Sequence, residues 1–129
     1  MSYIARQTLI QAATGTTDLT GKEGFFVKPS SGSVALVAAA TDVPLGCVID
    51  GQPTTGATAV ALPGTIVRVK CDATAGTIAL GTYLTVTSTG TVVADPGSGA
   101  RVQVAVALES GANDALIIAR LCEPKSIAA

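Results

Sequence analysis

The sequence predicts an all-β fold: a small β-sandwich or barrel-like domain of short antiparallel strands with an extended N-terminal arm. Three observations predict it. Apolar and polar residues alternate with a period of two in several short runs, the pattern of a half-buried strand. Turn signals rich in Gly, Pro, Asp and Ser recur at short intervals between those runs. The chain of 129 residues is rich in small and β-branched side chains but has two Phe, two Tyr and no Trp. Such a composition suits flat, pleated surfaces that pack closely.

The strands follow in order. The first is expected over 24–28, ending at the turn Pro29-Ser30-Ser31-Gly32. Its adjacent rings, Phe25 and Phe26, place one side chain in the core and one outward. Strands over 33–39, 45–50 and 57–62 follow, the latter two closed by Asp50-Gly51 and Leu62-Pro63-Gly64. Within 65–71, Val67, Val69 and Cys71 share one face and Arg68 and Lys70 the other. Leu84 and Val86 do the same between threonines in 82–87, before Ser88-Thr89-Gly90. A short strand over 91–94 meets Asp95-Pro96-Gly97. In 101–109, Val102, Val104, Val106 and Leu108 face away from Arg101, Gln103 and Glu109, and Ser110-Gly111 turns the chain into a last strand over 114–121. No window carries a helical stripe; "VALVAAATD" holds one short turn at most.

Two stretches echo one another. "GCVIDG", "ATAVAL" and "VRVKCD" are followed later by "AVALESG" and "ALIIARLCEP", each a strand ending in an acid and a tight turn, then a strand near Cys-acid. A structural duplication and a chance echo both fit. The length fits one domain, divided into an arm over 1–20, a β-rich domain over 21–124 and a C-terminal tail over 125–129. The arm is either a solvated tail or a segment that orders by adding a strand to a partner's sheet. Ile4, Leu9, Ile10 and Leu19 make it more apolar than a solvated tail, which favours the second.

Composition excludes several functions. Eight Lys+Arg against nine Asp+Glu give a net charge of −1, without the basic surface that nucleic acid or an anionic membrane attracts. No run reaches the roughly 18 apolar residues of a membrane span, and the N-terminus lacks a signal-peptide pattern. Histidine is absent, which removes the usual general base and zinc ligand. Cys47, Cys71 and Cys122 form no Cys-x-x-Cys pair and read as buried reduced thiols, with a Cys71–Cys122 disulfide the less favoured reading. "GTTDLTGKEG" has the wrong Gly spacing for a phosphate loop and puts Glu23 where Ser or Thr must reach magnesium. "GSGARV" lacks the last Gly of a dinucleotide loop. Asp50 and Glu109 hold matching places in the two echoed stretches; acid–base work and turn capping are the two readings, and capping is preferred. The sequence thus predicts no enzyme, no catalytic residue, no cofactor and no metal.

The run from "GFFVKPSS" to "ALIIARL" resembles the tailed-bacteriophage capsid cement, or head decoration, proteins over about residues 20–122. "PLGCVIDG", "AVALPGTIVRVKCDATAGTIALGTYLTV" and "VAVALESGANDALIIARL" carry the resemblance, with Val104-Ala105 standing where the pattern usually has Gly. The resemblance implies a homotrimer on the outer surface of a mature virion head, made in the bacterial cytoplasm and bound where major capsid protein subunits meet. A ligand of the assembled shell stabilises it by mass action, and an oligomer touching several subunits gains through effective concentration. Expected capsid contacts are Tyr3, Ile4, Arg6, Leu9 and Ile10 of the arm, with Phe25 or Phe26. The alternative is another structural or adhesive β-module, such as a fibre, tail or surface-layer component.

Overall fold

The computed structural model describes residues 10–74 and 76–128, and among them the chain forms ten β-strands and no helix. The strands are β1 (Ile10–Thr14), β2 (Phe26–Ser30), β3 (Ser33–Leu36), β4 (Gly46–Asp50), β5 (Ala57–Ala61), β6 (Ile66–Lys70), β7 (Tyr83–Val86), β8 (Val92–Ala94), β9 (Arg101–Ala107) and β10 (Leu116–Ile127). All nine expected strands are present, with ends moved by a few residues. They make two five-stranded antiparallel sheets, ordered β1-β5-β4-β2-β3 and β6-β10-β9-β7-β8.

Numbered within its own half, each sheet runs first, fifth, fourth, second, third. The chain therefore reads as a tandem duplication; the match of "GCVIDG" with "AVALESG" is its trace, whereas "VRVKCD" lies in β6, whose counterpart is β1, so its likeness to the Cys-acid end of β10 is not part of the repeat. Loop hydrogen bonds repeat with the strands. The N–H of Gly24 donates to the Val48 carbonyl at 2.9 Å, as Gly81 does to Ala107 at 2.8 Å. Val48 N–H donates to Phe25, as Ala107 does to Thr82. Each sheet also curls, so that its first and third strands meet at a parallel bridge, Gly15 with Val34 and Cys71 with Val92. Each half is thus a nearly closed barrel-like sheet, and the two halves pack as a sandwich.

Two cores result. Leu19, Val27, Val34, Val48 and Val60 fill the first half. Phe26, Val37, Cys47 and Ala61, on the other face of the first sheet, join Val69, Leu84, Val104, Ile117 and Leu121 of the second. Val and Ala dominate both, so close sheet spacing rather than ring burial excludes water. The chain from Ile10 onward belongs to the folded unit, because β1 pairs with β5 and Leu19 is fully buried. At the other end β10 continues to Ile127 because Lys125 and Ile127 pair with Gln103 and Arg101.

The alternation expected through β9 holds only in its first part. Val102 and Val104 face inward, but so do Ala105 and Ala107, while Val106 is half-buried on the opposite face. The cause is a register shift: Leu84 pairs with Ala105 and Thr85 with Gln103, which leaves Val104 as an extra residue. A β-bulge of this kind flips the phase of everything after it. It sits at the dipeptide that departs from the cement-protein pattern.

Asp95 ties the loop after β8 to β9. Its carboxylate accepts from Gly97 N–H at 2.9 Å and from the side chains of Arg101 and Gln103. These bonds, led by that from Gly97, hold its carboxyl below the ordinary 3.8. A depressed carboxylate contributes stability above its unfolded value and loses that contribution as pH falls through the folded one. Thermal melts of the protein and of Asp95→Asn should therefore differ at neutral pH and draw together as the pH falls from 3.8 through the lower value of the folded state. A gap that persists undiminished in acid contradicts this assignment.

Candidate functional site

The polar groups that resemble chemistry in the sequence have structural tasks. All three cysteines are free thiols. Burial pushes the Cys47 thiol up to about 12 and raises Cys71 and Cys122 as well. A thiol attacks as thiolate, so burial works against attack by each of them. Glu109 accepts from Ile118 N–H at 2.8 Å, closing the turn between β9 and β10. Asp50 accepts from the Gln52 side chain at 3.1 Å, and Glu23 takes the Gly51 N–H at 2.9 Å. The two acids lie at equivalent places in separate sheets, each engaged at its own strand end. Among the described residues no three Cys, Asp or Glu side chains cluster in a way that holds a metal.

What the molecule offers instead is surface. A row crosses the outer face of the second sheet through direct pairings: Ile66 with Arg120, Arg120 with Val106, Val106 with Tyr83. Ile66 is 60% exposed and Tyr83 53%, with Arg120 exposed between them. Leu80, 67% exposed, precedes Tyr83 on the approach to β7. Aligned on one sheet face, these exposed apolar side chains offer a surface for contact with other protein.

An open cleft of about 260 Å³ lies where the halves meet, lined by Glu23, Gly24, Ile49, Val67, Arg68 and Leu116. The Gly24 carbonyl accepts from Lys70 N–H at 2.9 Å here, joining first half to second. Gly24 has φ +88°, and a Cβ on it would come within 2.5 Å of Leu116 and 2.9 Å of the Lys70 nitrogen. Only glycine brings the two halves this close at that backbone angle. The cleft's lining is apolar apart from Glu23 and Arg68, and it holds no paired acid and base.

Of the contacts expected from sequence, Tyr3, Ile4, Arg6 and Leu9 lie outside the described residues. Ile10 is the first residue of β1 and pairs with Ala61. Phe26 is the inward ring of its pair, 2% exposed and packed between the sheets, so it is not offered to an outside partner. Phe25 is half-buried, with the Lys22 ammonium 5.0 Å from its ring centroid. Sequence reasoning passed over the row of Tyr83, Val106, Arg120 and Ile66. The signal was present in Tyr83, a ring in a strand otherwise built from Leu, Val and Thr, but pairing across four strands that are distant in sequence was not readable.

No protein-family model matches this chain, and no curated protein does. Among solved structures the chain is similar to the N base of the head fibre protein gp8.5 of bacteriophage phi29. The TM-score is 0.61 at 17% sequence identity, covering 92% of this chain and 98% of that one. The two share a fold along nearly the whole length of both.

Proposed function

We propose that this chain is a non-catalytic structural protein of a tailed-phage head. It binds the outer surface of the capsid, as a trimer, where major capsid subunits meet, and it stabilises the mature shell. The observation that supports this most is the fold shared end to end with the phi29 head fibre base. Exposed apolar side chains on a flat sheet suit docking to protein, and among the described residues the acids are engaged at strand ends and burial holds back the thiols. The same neighbour favours a second reading, in which the chain is the base of a fibre that attaches to the head rather than a cement between its subunits.

The test is addition of the purified chain to mature heads and to precursor shells, followed by sedimentation. The cement reading expects saturable binding to mature heads alone, with heads that resist heat better once coated. Binding at few sites per head without added resistance favours the fibre base. Absence of binding to either particle overturns both. Removal of residues 2–9, which leaves β1 intact, is expected to lower occupancy; unchanged occupancy removes the arm from the account.

A further inference from the structure

The duplication gives every surface of the second half a counterpart in the first, and one pair of counterparts differs sharply. The row Ile66, Arg120, Val106, Tyr83 corresponds strand for strand to Ile10, Ala61, Cys47, Phe26. In the first half Ala61, Cys47 and Phe26 are at most 2% exposed, because the second half covers them. In the second half nothing among the described residues covers the row, and Tyr83 stands 53% exposed where Phe26 is buried.

Val104, the extra residue of the β9 bulge, and β10 beyond Leu121 also border Phe26 and have no strand counterpart in the first half, but the groups that hydrogen-bond across the contact do. Phe26 N–H donates to the carbonyl of Gly90 in the turn between β7 and β8, at 2.8 Å. Gly24, in the approach to β2, accepts from Lys70 of β6. Gly90 corresponds to Gly32 in the turn between β2 and β3, Gly24 to Gly81, and Lys70 to Thr14 of β1. The backbone angles agree, φ +86° at Gly90 and +81° at Gly32, +88° at Gly24 and +86° at Gly81. The surroundings do not. Gly24 and Gly90 are buried and crowded, whereas Gly81 and Gly32 are exposed with nothing within 4 Å of a Cβ. The internal contact between the halves, in which each side gives one N–H and one carbonyl, is thus one link of a repeat, with the Tyr83 and Gly81 face left unused on the second half and the β1 and Gly32 face left unused on the first.

We propose that a second copy of this chain completes the link. The face of Tyr83, Val106 and Gly81 on one copy receives β1 and the Ser31-Gly32 turn of the next, as Phe26, Cys47 and Gly24 receive β6 and the Gly90 turn within the chain. Because the two surfaces differ, the contact is head-to-tail, and successive copies close a ring or extend as a filament. This inference stands apart from any role at a phage head, since it concerns the purified chain alone.

Light scattering of the full chain is expected to give a mass above two chains, because a head-to-tail contact of this kind does not close at two. Tyr83→Arg, which buries a charge in the joint but changes an exposed position of the lone chain, is expected to weaken assembly at least tenfold with the circular-dichroism melt of the monomer intact. A second measurement is independent of that variant. In a Cys122→Ser background, copies carrying Tyr83→Cys are mixed with copies carrying Ser31→Cys. Oxidation is expected to link unlike copies and not like ones. A single-chain or two-chain mass, assembly unchanged by Tyr83→Arg, Tyr83→Cys copies that link to one another, or mixed copies that do not link each overturn the proposal. Loss of Tyr83-dependent binding to heads without self-assembly would assign the face to the capsid and overturn it equally.

Discussion

Phe26→Ala is expected to cost about 3–5 kcal/mol of folding stability, the range for truncating a buried ring. Among the described residues Phe26 is the largest fully buried side chain, and it sits between the sheets beside Leu45, Gly46, Val104 and Leu121. These are small or anchored to strands, so the space left by a missing ring cannot collapse. Native domains are stable by roughly 5–15 kcal/mol, so this one change takes a large fraction of the total. Tyr83→Ala, at the equivalent place of the second half, is expected to change the stability of the isolated chain by no more than about 0.5 kcal/mol. Urea denaturation of both variants, at a dilution at which light scattering gives the mass of one chain, measures the contrast. Equal losses would show that the two positions are not an inner and an outer version of one site.

The second large effect belongs to Gly46→Ala. A Cβ on Gly46 would lie 2.0 Å from the Ala61 carbonyl oxygen and 2.9 Å from Val60 Cγ1. Real carbon–oxygen contacts are far longer, and the obstructing atom is backbone of the paired strand β5, which cannot rotate aside. Forcing β4 from β5 opens both cores, since Cys47 and Val48 face opposite sides of the sheet. The expected cost is about 3 kcal/mol, the upper end of overpacking losses. The second half carries Ala105 at the matching place, fully buried beside the bulge in β9. A Gly46→Ala protein with an unchanged urea midpoint would mean that β4 and β5 separate at little cost.

The contrast between Gly46 and Ala105 shows where the sequence was readable. Period-two runs such as Val67, Val69, Cys71 identify strands because one face is buried, and with the turn signals between them they mark nine strands that the structure contains. β1 falls within the expected arm because "IQAAT" is built mostly from small and polar side chains whose alternation is faint; its place comes from pairing with β5, nearly fifty residues away. The apolar residue that betrayed this segment was Leu19, which plugs the first core. The bulge at Val104 was marked only as a departure from a family pattern. A bulge depends on the partner strand, and sequence periodicity alone gives no partner. The duplication was half visible, in the acids at the strand ends, because strand order and turn geometry persist after side chains diverge. The outer row was invisible for the same reason: Ile66, Val106, Tyr83 and Arg120 are neighbours only once the strand order is known.

A cryo-electron microscopy map of phage heads bearing this chain tests the account most directly. It predicts density on the outside of the shell at junctions between major capsid subunits, with copies of the chain joined head-to-tail and Tyr83 covered by a neighbour's first half. Density confined to tail or fibre, or separate single copies with the Tyr83 face open to solvent, would contradict it.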